Sequence, residues 1–397
     1  MVRDPYDCGY GRIKIPRRVF IEDDGMSSTV RKLSRWSIGL ALVLLPAITP
    51  AAEATAEFRL LETAVTTAIA PQHQILENQV YAMQLAGDAF CQNPDEAKFA
   101  ALRETWRKAM QSWAALAPVN FGPIDDANTA WNFQFWPDPI NLVERKFRFR
   151  INGQNPAVHA DDLAAASVAI QGFSALEYLL FDPAVGSLAH YRNQPPLCPV
   201  LVGTLSNLGR SARDLNAAWQ HEYPKRLLDP QREQSHPGFL KLHVESLFSG
   251  IVMAVVNIRD QKLGQALSIA KHDETGSAAG LNPWMLESWR SQTSLQQMEA
   301  SLRFSRDLYQ LNPGLGTYLI ALSPSSQALN TQIRQAFQEA LDNIQSIDDS
   351  AFALLQKGDT AALIKLHGSV NRLHDLLRVD YTAKAGIQFR FNAHDGD

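Results

Sequence analysis

Apolar residues recur at steps of three and four along nearly the whole chain, the period of helices with one buried face. Phe99, Leu102, Trp106, Met110 and Trp113 form one such stripe. Asn93-Pro94-Asp95-Glu96 precedes it as a start signal: a capping residue, a proline whose missing N–H costs nothing there, then acids at the positive end of the helix dipole. Cys198 to Trp219 repeats the period and is expected to end before Pro224. Phe239 to Leu263 follows, then a run that starts at Asn282-Pro283 and continues through Trp289, Leu295, Met298, Leu302 and Tyr309. Ser325 to Ile347 and Thr360 to Val379 supply two more helices. Asp138-Pro139 reads as a helix start into Ile140-Asn141-Leu142-Val143, and Asp161 and Asp162 open the segment that Asp182-Pro183 stops. Strand-like alternation is confined to Ile387-Gln388-Phe389-Arg390-Phe391, short and terminal. The polar stretch Pro224 to Pro237 reads as a connection between halves. The pattern predicts an all-α fold of two packed four-helix bundles, over residues 55–225 and 226–397.

The first 54 residues break this pattern. Arg31, Lys32 and Arg35 form a positive patch, and Trp36 to Ala52 carries no charge. Small residues follow at Ala52 and Ala54, spaced as a signal peptidase prefers. Met26 is a better start than Met1 for such a segment, so residues 1–25 read as an extension outside the fold and 26–54 as a cleaved export signal. The uncharged run falls short of the roughly 20 residues that span a bilayer, and Pro46 and Pro50 interrupt it; an uncleaved anchor is the alternative. The expected location is the periplasm, with no stable membrane span after cleavage and no cysteine at the boundary to carry a lipid.

Composition refines the picture. The chain holds three cysteines, Cys8, Cys91 and Cys198. Loss of the leader removes Cys8, and the remaining even pair in an oxidising compartment predicts a Cys91–Cys198 disulfide, with two buried thiols as the alternative. A net charge of −4, with no basic run outside the N-terminal region, argues against a nucleic-acid partner.

No Gly-rich phosphate loop, His-Glu-x-x-His motif or Gly-x-Ser-x-Gly elbow is present, so any site has to be assembled across helices. The first candidate is Gly172-Phe173-Ser174-Ala175-Leu176-Glu177, which puts one carboxylate into an apolar helical run. A buried carboxylate is costly without a partner, so Glu177 is either a metal ligand or a paired structural acid. Ser174 shares its helix face, but a neutral hydroxyl is a poor ligand for zinc or iron. Phe121-Gly122-Pro123 and Phe135-Trp136-Pro137-Asp138 read as a rigid loop walling a pocket over Glu177, with Asp138 otherwise a simple helix cap. Arg290, in Glu287-Ser288-Trp289-Arg290-Ser291 with Ser294, is the cation best suited to a buried acid, or else a surface arginine. The C-terminal Phe391-Asn392-Ala393-His394-Asp395-Gly396-Asp397 gathers oxygen donors that include Asn392 and Asp395. His73 with Glu77 and His367 with Asp375 are weaker pairs, more simply solvated or satisfied residues.

Together these blocks resemble the imelysin family of bacterial envelope proteins, also classed as imelysin-like peptidases, across nearly the whole mature chain. Gly172, Ser174 and Glu177 match the family's Gly-x-His-x-x-Glu motif with serine in place of histidine. The blocks holding Trp136 and Asp138, Arg290 and Ser294, and Asn392 and Asp395 fall in the family's order. The resemblance implies two four-helix bundles with the motif site near their junction, an envelope location and a link to iron or metal uptake. The expected function is a binding or accessory protein in iron or metal acquisition, with a metallopeptidase and a structural envelope protein as alternatives. Iron or another divalent metal is the implied cofactor, held by Glu177; a metal or metal chelate and an envelope transport protein are the implied partners.

Overall fold

Several helices that the sequence opens on a polar residue are capped there by a side-chain bond. Thr55 Oγ1 accepts the Phe58 N–H, Asp95 accepts the Lys98 N–H, and Ser350 accepts that of Ala353. The computed structural model describes residues 54–125, 129–151, 160–269 and 280–387. The segment expected to be an export signal, up to residue 53, the extension before it, and the tail with Asn392 and Asp395 lie outside the described residues.

The longer helices are α1 (Ala56–Ala64), α2 (Ala70–Gln92), α3 (Glu96–Ala115), α4 (Leu142–Ile151), α5 (Gly172–Phe181), α6 (Leu197–Ala217), α7 (Phe239–Val256), α8 (Ser294–Gln310), α9 (Gln327–Gln345) and α10 (Ala361–Asp375). No strand occurs among the described residues, so the fold is all-α. Helix α2 packs along α3 and α6, α8 lies across both α3 and α9, and α9 packs on α10. One apolar core therefore runs from residues before 225 into those after it, through Trp106 and Phe173 to Leu302 and Phe337. Helix α7 with its wide-turn extension is long and apolar enough to cross a membrane, but most of it is buried inside this core.

Several elements depart from the sequence reading. The chain does not stop before Pro224: a π-helical turn over Ala218–Glu222 leads into a further helical turn, Tyr223–Leu227, that starts with the proline near its first position. The polar connection is ordered, because Asp229 caps Pro230–Ser235 and the Glu233 carboxylate accepts the N–H groups of Gly238 and Leu240. The helix expected from Asn282-Pro283 begins only at Ser294; residues 283–285 make a single 3-10 turn, and Ser288 and Gln292 then take left-handed backbone angles. Cys91, near the end of α2, and Cys198, at the start of α6, are joined by a disulfide.

Candidate functional site

Gly172 is the hinge on which the motif helix is set. Its φ is +65°, and a Cβ there would lie 2.1 Å from the Phe133 carbonyl oxygen, so only glycine allows α5 to start this close to the short helix Thr129–Phe133. From that start Phe173, Leu176, Leu179 and Leu180 fill the core, and Glu177 on the same helix is buried with them. Arg103 of α3 holds the other end by donating to the Leu180 and Gly186 carbonyls.

Glu177 is satisfied from more than a hundred residues away. The Ser291 N–H and hydroxyl both donate to its Oε1 at 2.9 Å. Thr293 Oγ1 stands 2.9 Å from Ser291 Oγ, and Gln297 Nε2 donates to Thr293 Oγ1 at 3.0 Å, so a polarised chain of bonds backs the contact. The Ser291 N–H is free to do this because the chain here has not yet become helix. Oε2 accepts no hydrogen bond among the described residues. Burial pushes the Glu177 carboxyl above the usual carboxylate range; the Ser291 N–H, the Arg290 charge and the Ser291 hydroxyl oppose that rise, and the Glu287 charge adds to it.

The other charged groups are paired around it. Arg290 does meet a buried acid, but the acid is Asp182: Nε donates to Oδ2 at 2.7 Å, with both side chains under a tenth exposed. Its Nη2 donates to Asn141 Oδ1 at 2.6 Å, and its guanidinium lies over the Trp289 ring at 4.2 Å. Lys262, in the π-helical turn Asn257–Gly264 that extends α7, donates to Glu287 Oε2 at 2.6 Å. Glu287 Oε1 accepts from Gln134 Nε2 at 3.0 Å, and Gln134 Oε1 accepts from the Trp113 indole at 2.8 Å. Asp182, Lys262, Gln134 and Asn141 are site residues that the sequence reading missed.

Ser174 gives its hydroxyl to the Phe135 carbonyl at 2.9 Å, which pins the loop before α4 onto α5. Asp138 caps α4, accepting the N–H groups of Leu142 and Val143 at 2.7 and 2.9 Å. Ser294 donates to the Glu287 carbonyl. Glu177, Ser174, Trp136, Asp138 and Arg290 thus line one cavity of about 30 Å³, walled further by Trp106, Phe135, Trp284 and Trp289. It has room for water or a small ion, not for a length of peptide.

The described residues alone do not make a complete metal site. Among the described residues no three His, Cys, Asp or Glu side chains converge as ligands. Ser174 has spent its hydroxyl on a carbonyl, leaving Glu177 Oε2 as the free anionic donor of the motif. His73 is no alternative: it is buried, stacked on Trp219 and bonded to the Ile69 carbonyl, and burial lowers its pKa to about 4.

The family model Peptidase_M75, Imelysin, matches residues 69–379. An imelysin-like protein of Psychrobacter arcticum 273-4 shares the fold at a TM-score of 0.69 and 21% identity, over 85% of this chain and 99% of that one. A Parabacteroides distasonis ATCC 8503 protein, assigned as an iron-regulated protein A precursor, superposes at a TM-score of 0.65 with 17% identity, over 84% and 97% of the two chains. No curated protein matches the chain.

Proposed function

The chain belongs to the imelysin family, and we propose that it serves as a periplasmic binding or accessory protein in iron or metal acquisition. The observation that carries this reading is the buried Glu177 carboxyl, fixed through one oxygen by Ser291 and presenting the other beside a small aromatic-walled cavity. Support also comes from the structural relative assigned as iron-regulated. A hydrolytic reading needs a metal held by about three protein ligands with an open position for water. The described residues offer no such set. A single carboxylate oxygen beside a cavity of this size suits a small metal ion in transit, released from a chelate and handed to or from an envelope transport protein, rather than one held as a resident cofactor.

Calorimetric titration of the purified protein with ferrous and ferric salts and with ferric citrate tests the proposal. Binding in the micromolar range, lost in Glu177→Ala, is expected, together with slower growth of a deletion strain under iron limitation. No binding to salt or chelate, with normal growth when iron is scarce, overturns it. Proteolysis of casein that disappears on chelation and in Glu177→Ala would restore the peptidase alternative.

A second reading draws on the pairing itself. Glu177 with Ser291, Asp182 with Arg290 and Glu287 with Lys262 each join segments far apart in sequence. If these contacts serve only to lock the fold, Glu177→Gln leaves iron-limited growth unchanged.

A further inference from the structure

Helix α4 presents two unlike faces. Val143 and Phe147, one turn apart, are buried in the core. On the opposite side Arg145 and Lys146 stand exposed beside Phe149, whose 85% exposure is the highest of any large apolar residue among the described residues. The side chains of Arg145 and Lys146 make no ion pair or hydrogen bond among the described residues, while Arg148 leans on Glu144 at 3.4 Å. Ile140, in the turn before the helix, is also exposed. Single exposed apolar residues are ordinary. A phenylalanine standing out between free cations, in a chain whose net charge is −4, is not explained by core packing or by general solubility.

We propose that the outer face of α4, formed by Arg145, Lys146 and Phe149, docks this protein on an anionic phospholipid surface. The chemistry is complementary: Lys and Arg near an anionic bilayer are each drawn to it, and an aromatic ring enters the headgroup boundary. The shape favours lipid over protein as the occupant. Phe149 stands 85% exposed on one side of the helix, and a fluid surface can close around a protruding ring. Docking there would also bring the site near the bilayer, because Asp138, which caps α4, and Val143 on its first turn line the Glu177 cavity.

The test is co-sedimentation of the full chain with phosphatidylcholine vesicles, with and without about 30% phosphatidylglycerol, at low and high salt. Residues 36–52 can engage lipid on their own, so the comparison is between variants of one chain. Arg145→Glu/Lys146→Glu is expected to weaken binding to the anionic vesicles at least about tenfold, and Phe149→Ser several-fold, with melting temperatures unchanged. Tyr81→Ser, an exposed aromatic on α2, serves as the control and leaves binding as in the wild type. Equal binding by wild type and both α4 variants overturns the proposal. So does tight binding to soluble polyglutamate that Phe149→Ser leaves intact, which assigns the face to an acidic protein.

Discussion

Arg290 and Asp182 stand 108 positions apart in sequence, and their side chains form a buried ion pair at 2.7 Å. Asn141 Oδ1 accepts a second hydrogen bond from the same guanidinium, and the Trp289 ring lies under it. Removing one partner leaves the other charge buried and alone, so Arg290→Ala is expected to cost about 3–5 kcal/mol of unfolding free energy. Arg290→Lys should recover little of it, because an ammonium cannot serve Asp182, Asn141 and the ring together. Urea unfolding of the three proteins decides this; a lysine variant as stable as the wild type contradicts the assigned geometry.

The helices and their faces were legible because burial repeats with a period that a sequence displays. Phe99, Leu102, Trp106 and Met110 are all buried on α3 as their spacing implies. The motif was legible too, since one acid in an apolar helix stands out. Its partners were not. Asp182 sits before a proline and reads as a helix stop, and Lys262 reads as a polar position on an amphipathic run. Nothing local marks either as the owner of a distant opposite charge. Residues 286–293 misled for a physical reason: their apolar spacing suits a helix, but the left-handed backbone at Ser288 and Gln292 keeps the Ser291 N–H available for Glu177. Such departures from local preference are expected where a site has to be built.

Glu177 gives a pH signature. Its pKa is raised in the folded protein, chiefly by burial, so the fold binds this proton more tightly than the unfolded chain does. The contribution is therefore full below the ordinary value of 4.5 and is lost as pH rises through the folded value. Glu177→Gln fixes the neutral form while keeping an oxygen for Ser291. The difference in urea midpoint, variant minus wild type, should grow in the variant's favour as pH rises from 4.5 towards the folded value and level off above it. A difference independent of pH would show that the carboxyl is already ionised in the fold.

The Cys91–Cys198 bridge closes a sequence separation of 107, a long loop whose freedom in the unfolded chain the bond removes. Cys91→Ser/Cys198→Ser is expected to lose about 2–5 kcal/mol of stability. The wild type should fall to the same level in reductant, and the variant should not respond to reductant at all. A double variant that matches oxidised wild type in urea would remove the bridge from any account of stability.

Lys262 and Glu287 offer the sharpest separation of pairing from packing. Both are under a tenth exposed, and their 2.6 Å contact links the wide turn after α7 to the loop before α8. Lys262→Met leaves Glu287 with only the Gln134 bond in a buried setting, and about 3–5 kcal/mol should be lost. Adding Glu287→Gln removes the stranded charge, and the double variant should regain most of that loss because methionine fills the lysine's apolar path beside Trp136. The coupling energy from the double-mutant cycle then measures the pair itself. If the double variant is as unstable as the two single changes combined, the charges act independently, and the loop that presents Ser291 to Glu177 is held by something other than this contact.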